Sequence, residues 1–139
     1  MKIAIISDTH GNVPNFKKAV NWLNKENISM ILHCGDIGNP ESLKESLVDF
    51  EGDFLGVLGN MDVDYKKDIS EYNFGKVKVE EEILKTEIGG NPPSPEATAR
   101  RRKIAITHRP EQARILAESK DFDKRNLPED QTGLIGQRV

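Results

Sequence analysis

Four stretches of this chain end on side chains able to hold a divalent cation. Residues 1–11 read Met-Lys-Ile-Ala-Ile-Ile-Ser-Asp-Thr-His-Gly, an apolar run that stops on Asp8, Thr9 and His10. Ser29 to His33 leads into Cys34-Gly35-Asp36, Phe54 to Leu58 into Gly59-Asn60-Met61-Asp62, and Lys103 to Thr107 into His108. Carboxylate oxygen and imidazole nitrogen together suit manganese, iron, zinc or nickel, and a shared carboxylate can hold two cations about 3.5–4 Å apart. Such a pair acidifies a water and clamps an in-line displacement at phosphorus. Each residue also has a plainer use. Asp8 and Asn12 can cap a helix, Asn60 can take a left-handed turn, and His108 can be a hydrogen-bonded strand-end histidine. His33, which lies inside its apolar run, reads as a packed core histidine and Cys34 as a small core residue. Taken singly, either use stands; recurrence at successive strand ends favours the metal.

The elements that position these residues follow from periodicity. Lys2 to Ser7 is a short apolar run of the kind that forms a strand buried on both faces. Extended residues i and i+2 point the same way, so Asp8 and His10 can reach one point. Pro14 suits the first turn of a helix in which Phe16, Ala19, Val20 and Leu23 form the inner stripe, fading near Asn27. A second helix begins at Pro40, with Leu43, Leu47 and Val48 inward. Strand, helix, strand, helix, strand predicts right-handed βαβ units and a parallel sheet, whose carboxyl ends line the usual ligand crevice. Gly35 and Gly59 permit sharp turns just before Asp36 and Asn60.

Beyond Asp62 the pattern changes. Residues 64–73 read as an irregular or briefly helical loop, and Lys76 to Glu81 as a partly exposed strand with Val77 and Val79 on one face. Ile83 to Ile88 and Lys103 to Thr107 predict a hairpin interrupted by 91–102, a mobile insertion rich in Pro, Ser, Ala and Arg. Its Arg100-Arg101-Arg102-Lys103 end reads as a solvated loop base. Pro110 opens a helix to about Ser119, with Ala113, Leu116 and Ala117 on one side. Lys124 to Asp130 has one apolar residue and a proline, which excludes a buried strand there. The expected division is a domain over 1–123 and a divergent, poorly ordered tail over 124–139.

With 139 residues, 36% apolar and 31% charged, the chain suits one domain with a modest core. A net charge of −3 argues against nucleic-acid or membrane-surface binding by charge alone. One cysteine excludes an internal disulfide, and the N-terminal run is too short for a membrane span and lacks a signal-peptide pattern, so a cytoplasmic location is expected. Neither G-x-G-x-x-G nor G-x-x-x-x-G-K-[ST] follows the first strand, which disfavours a nucleotide-binding domain.

Asp8-Thr9-His10, Gly35-Asp36, Gly59-Asn60-Met61-Asp62 and Thr107-His108 resemble successive motifs of the calcineurin-like metallophosphoesterases, most of all the small single-domain phosphodiesterases of archaea and bacteria. The likeness runs in order from Met1 to about Asp123. It implies a four-layer α/β/β/α sandwich, C-terminally incomplete here, and a phosphodiesterase that hydrolyses small phosphate-ester substrates with two divalent metal ions, manganese first among them. Carried over by the resemblance, Asp8 and His10 would hold one metal, Asn60 and His108 the other, and Asp36 would bridge. Asp62 would orient His10 or a water at the site, completing a catalytic set of Asp8, His10, Asp36, Asn60, Asp62 and His108.

Three departures qualify the likeness. Met61 stands where relatives place a histidine thought to donate a proton, which points to activated or diester substrates. Arg109 replaces a glycine, and would either clash with close backbone packing or lie over the site as a phosphate contact. The family's Gly-His-x-His does not follow the last helix; a truncation or a shifted reading frame after about Asp123 would each produce this. A non-catalytic scaffold on the same fold is therefore the competing reading, and homo-oligomerisation through an open sheet edge a further expectation.

Overall fold

The computed structural model describes residues 1–89, 102–119 and 133–138, of which 63–67 and 133–138 are described by their backbone alone. Seven strands form two sheets. In the first, β1 (Ile3–Ile6), β2 (Met30–His33), β3 (Asp53–Val57) and β4 (Val77–Glu80) pair in that order, all parallel. In the second, β5 (Ile83–Ile88), β6 (Arg102–Thr107) and β7 (Gly133–Arg138) are antiparallel.

Helix α1 (Val13–Lys25) starts where Asn12 accepts the Asn15 amide and Pro14 needs no partner for its missing N–H. Helix α2 (Pro40–Leu47) repeats the device with Asn39 accepting from Ser42, and α3 (Pro110–Glu118) again begins on a proline. Phe16, Val20 and Leu23 of α1 and Leu43 and Leu47 of α2 bury against Ile31 and Phe54 of the first sheet. The opposite face of that sheet, through Leu32, Cys34 and Val57, meets Leu84, Ile104 and Ile106 of the second. Ala113, Leu116 and Ala117 of α3 cover the far side at Ala105. Helix, sheet, sheet, helix: the four expected layers are present.

Three expectations change. Strand β1 is an edge strand with Ile5 57% exposed, because its apolar run has a pairing partner on one side only among the described residues. The stretch after β3 is a 3₁₀ segment from Asn60 to Tyr72, kinked at Asp68, which begins at the candidate ligand rather than after it. At the C-terminal end, Gly133–Arg138 pairs with the whole of β6 instead of remaining loose. The composition that excludes a strand stops at Asp130, and Leu134-Ile135 restores strand-forming residues beyond it. The expected insertion lies outside the described residues except Arg102, as does the tail from Lys124 to Thr132.

Candidate metal centre

The turn after β1 is stitched to the turn after β2. Backbone amides of Asp8, His10 and Gly11 donate to the carbonyls of Gly35, Asp36 and Ile37 at 3.0, 2.9 and 2.9 Å. Asp8, His10 and Asp36 sit there with φ of 56°, 47° and 54°, left-handed values that cost of order 1–3 kcal/mol each for a side chain with a Cβ. Asp8 and His10 thus converge through a strained turn rather than along extended chain, with His10 Nε2 3.7 Å from Asp8 Oδ1. One ligand atom from each of Asp8, His10 and Asp36 lies within 4.8 Å of the other two.

Asp36 is the buried member, 4% exposed. Its Oδ1 accepts the Met61 amide at 2.9 Å, and its Oδ2 lies 3.6 Å from His108 Nε2. His108 Nδ1 donates to the Cys34 carbonyl at 2.8 Å, so a neutral ring presents a lone pair at Nε2. That nitrogen is 2.8 Å from Asn60 Oδ1, also an acceptor. Two acceptors facing one another need a proton between them, a turned amide, or a cation. Ligand atoms about 2.0–2.2 Å from one cation stand roughly 3 Å apart at right angles, so the spacing fits a metal with the side chains as they are.

Two glycines make room for this. A Cβ on Gly59 would come 2.0 Å from Asp36 Oδ1, and one on Gly35, whose φ is +113°, would come 2.4 Å from His108 Nδ1. The close approach of the ends of β2, β3 and β6 therefore depends on glycine where the candidate ligands crowd.

Asp62 differs from expectation. It is 1% exposed, and its oxygens accept the backbone amides of Ile37, Gly38 and Gly59, each at 2.9 Å. It clamps the turns after β2 and β3 together instead of orienting His10, because one carboxylate satisfies three backbone amides there, two of them buried. Arg109 is turned away from backbone packing and pairs with Glu82 at 3.3 Å on the surface.

His33 has the structural role read from the sequence. It packs between Phe16 and Phe54, Nδ1 accepts the Gly35 amide at 3.2 Å, and Nε2–H therefore donates to Thr9 Oγ1 at 3.0 Å. Thr9 passes the bond on to the Ile37 carbonyl at 3.1 Å. Burial pushes the His33 pKa from 6.5 down to about 3; the Asp8 charge opposes this, and His108 and His10 add to it. The same burial, with Asp8, lifts the Cys34 thiol to about 11, which removes it as a thiolate ligand. Thr9 is the contributor the sequence reading passed over. Its only signal was its place between Asp8 and His10, because the left-handed turn that aims it at His33 is not written in residue types.

A parallel sheet packed face to face on an antiparallel one, with acceptors gathered at its carboxyl edge, defines an α/β/β/α metal-centre scaffold. A profile of the calcineurin-like phosphoesterase superfamily domain matches residues 1–136, and the chain belongs to that superfamily. Membership implies divalent metal ions, for which Asp8, His10 and Asp36 form a candidate group. A phosphodiesterase of Methanocaldococcus jannaschii is 37% identical over 79 residues, 52% of this chain and 47% of the relative. The solved structure of an archaeal phosphodiesterase is 33% identical with a TM-score of 0.48, covering 63% of this chain and 53% of that one. The chain thus spans about half the length of either protein. Among the described residues no helix is long and apolar enough to cross a membrane.

Proposed function

We propose that this chain hydrolyses phosphate esters, diesters foremost, with two divalent cations held by Asp8, His10, Asp36, Asn60 and His108. The observation that carries the reading is the place of Asp36. Its carboxylate faces both acceptor sets, Asp8 with His10 on one side and His108 with Asn60 on the other. Mixed oxygen and nitrogen donors favour manganese, with iron, zinc or nickel as alternatives. When bound, the cations would supply polarisation of the phosphoryl oxygens and a more acidic water.

The chain's own part is positioning. The Cys34 carbonyl fixes the His108 ring so that Nε2 faces the site, and the Met61 amide holds one oxygen of Asp36. Met61 itself is exposed at the rim and has no proton to give, so the leaving group must depart on its own acidity or take a proton from water. This supports activated or diester substrates over alkyl monoesters. A small phosphate ester in the cytoplasm, rather than nucleic acid, fits the acidic chain, and we place the activity in residues 1–123, which carry every candidate ligand. The scaffold alternative is not favoured, since all five acceptors remain at the strand ends.

Bis-p-nitrophenyl phosphate tests the reading. Cleavage is expected only with added Mn²⁺ or a similar ion, and Asp8→Asn or His108→Ala should each slow it at least about a hundredfold. Activity that survives excess chelator would overturn it.

A further inference from the structure

One polar chain links the two turns of the candidate centre, and both of its ends lie beside Asp36. It starts at the Gly35 amide, which donates to His33 Nδ1 at 3.2 Å, and His33 Nε2 donates in turn to Thr9 Oγ1 at 3.0 Å. The Thr9 hydroxyl then donates to the Ile37 carbonyl at 3.1 Å. Gly35 and Ile37 flank Asp36 in the sequence, and Thr9 is the residue between Asp8 and His10. The direction of the chain is fixed. Only a neutral imidazole both accepts and donates, and a hydroxyl that accepts from it has its own proton left for Ile37. His33 is fully buried, so water cannot replace either of its partners.

This chain meets a turn that needs holding. Asp8 and His10 adopt left-handed backbone on either side of Thr9, and such conformations persist only where the surroundings over-determine them. Packing supplies little of this, because the Asp8 and His10 side chains are half exposed. The backbone bonds from Asp8, His10 and Gly11 to Gly35, Asp36 and Ile37 fix the spacing of the two turns. The Thr9 hydroxyl adds an attachment to the interior, on a ring that packs against Phe16 of α1 and Phe54 of β3. The other half of the centre is anchored separately. His108 is held by the Cys34 carbonyl and Asp36 by the Met61 amide, bonds in which neither Thr9 nor His33 takes part.

We infer that Thr9 and His33 are positioning residues for one cation, the one held by Asp8 and His10. The inference rests on the reading of those two residues as metal ligands. The Thr9 hydroxyl keeps the turn in the form that sets Asp8 Oδ1 and His10 Nε2 3.7 Å apart and faces both toward Asp36. Without that bond the turn relaxes toward ordinary backbone and the two ligand atoms separate, while Asp36, Asn60 and His108 keep their own anchors. Loss of a partner that orients a metal ligand typically lowers metal affinity about 10–100-fold.

Calorimetric titration of the full, metal-stripped chain with Mn²⁺ tests this, with circular dichroism to establish that each variant is folded. Thr9→Val keeps the shape of the side chain but removes the hydroxyl, and should weaken the Asp8–His10 site at least about tenfold. Thr9→Ser restores the hydroxyl and should bind like wild type. His33→Asn can still accept from Gly35 but is too short to reach Thr9, so it should match Thr9→Val. Ser46→Ala controls for simple loosening: it deletes a buried residue's hydroxyl, bonded to the Ser42 carbonyl at 2.7 Å within α2, and should leave the affinity unchanged. At a Mn²⁺ concentration that just saturates wild type, Thr9→Val should keep slowed hydrogen exchange along β6 and lose it in the turn after β1. Folded Thr9→Val and His33→Asn that bind as tightly as wild type would overturn the inference and leave the metal site standing. Equal weakening by Ser46→Ala or Thr9→Ser would also overturn it, since the hydroxyl of Thr9 would then not be the cause. A wild type that binds no Mn²⁺ would overturn the metal reading itself, and the inference with it.

Discussion

At the scale of single residues, burial decides which of the three histidines can serve a metal. His10 and His108 keep a ring nitrogen toward the acceptor cluster, whereas His33 spends both nitrogens inside the protein. With its pKa at about 3 in the fold against 6.5 when exposed, His33 stays neutral in the native state while the unfolded chain takes up a proton. Its contribution to stability is therefore complete above pH 6.5 and is lost as the pH falls toward 3, with a slope approaching about 1.4 kcal/mol per pH unit. Denaturant melts of metal-free protein from pH 7.5 to 4 should show the stability advantage of wild type over His33→Asn shrinking as the pH drops. Carboxylate titration is common to both proteins and cancels in the difference. Parallel curves would mean that His33 is charged in the fold. The strand-run position of His33 made this role legible; the left-handed turns at Asp8, His10 and Asp36 were not, because no residue type there demands positive φ.

At the scale of elements, strands and helices were legible wherever periodicity and caps agreed. Proline at the start of α1, α2 and α3 and the apolar runs of β2 and β3 each give boundaries within about a residue or two. Pairing was less legible than existence. Nothing in Val77–Glu80 says that it extends the parallel sheet rather than the hairpin, since the crossover is a 3₁₀ segment and not a helix. Nor does composition say that Gly133–Arg138 joins β6, because a ladder is held by backbone groups. The 3₁₀ segment also hides the clamp. Asp62 looks like a ligand by its place after Gly59-Asn60, yet it ties two loops through three amides. Asp62→Ala would leave those three N–H groups, two of them buried, without their acceptor and should cost about 3–5 kcal/mol. In a domain of this size that lowers Tm by about 10–15 °C, with Asp62→Asn intermediate. If Asp62→Ala instead melted like wild type and lost metal affinity, the residue would belong to the metal site after all.

At the scale of the whole molecule, the candidate centre sits where the two sheets meet. Asp8, His10, Asp36 and Asn60 follow strands of the first sheet, and His108 is the one candidate ligand on the second among the described residues. The sheets share a small apolar interface of Leu32, Cys34 and Val57 against Leu84, Ile104 and Ile106, supplemented by the His108–Cys34 bond. A cation held from both sides should therefore fasten the second sheet to the first. Anything that binds only the docked state stabilises it by about 2.7 kcal/mol at a hundredfold excess over its dissociation constant. Hydrogen exchange of β6 amides, read with and without Mn²⁺, should then slow by up to about a hundredfold through suppressed local opening. His108→Ala should lose that protection along β6 while keeping it in the turns after β1 and β2, and Asp36→Ala should lose it in both places. If Mn²⁺ protects β6 as well in His108→Ala as in wild type, the cation does not join the sheets, and the second sheet docks by packing alone.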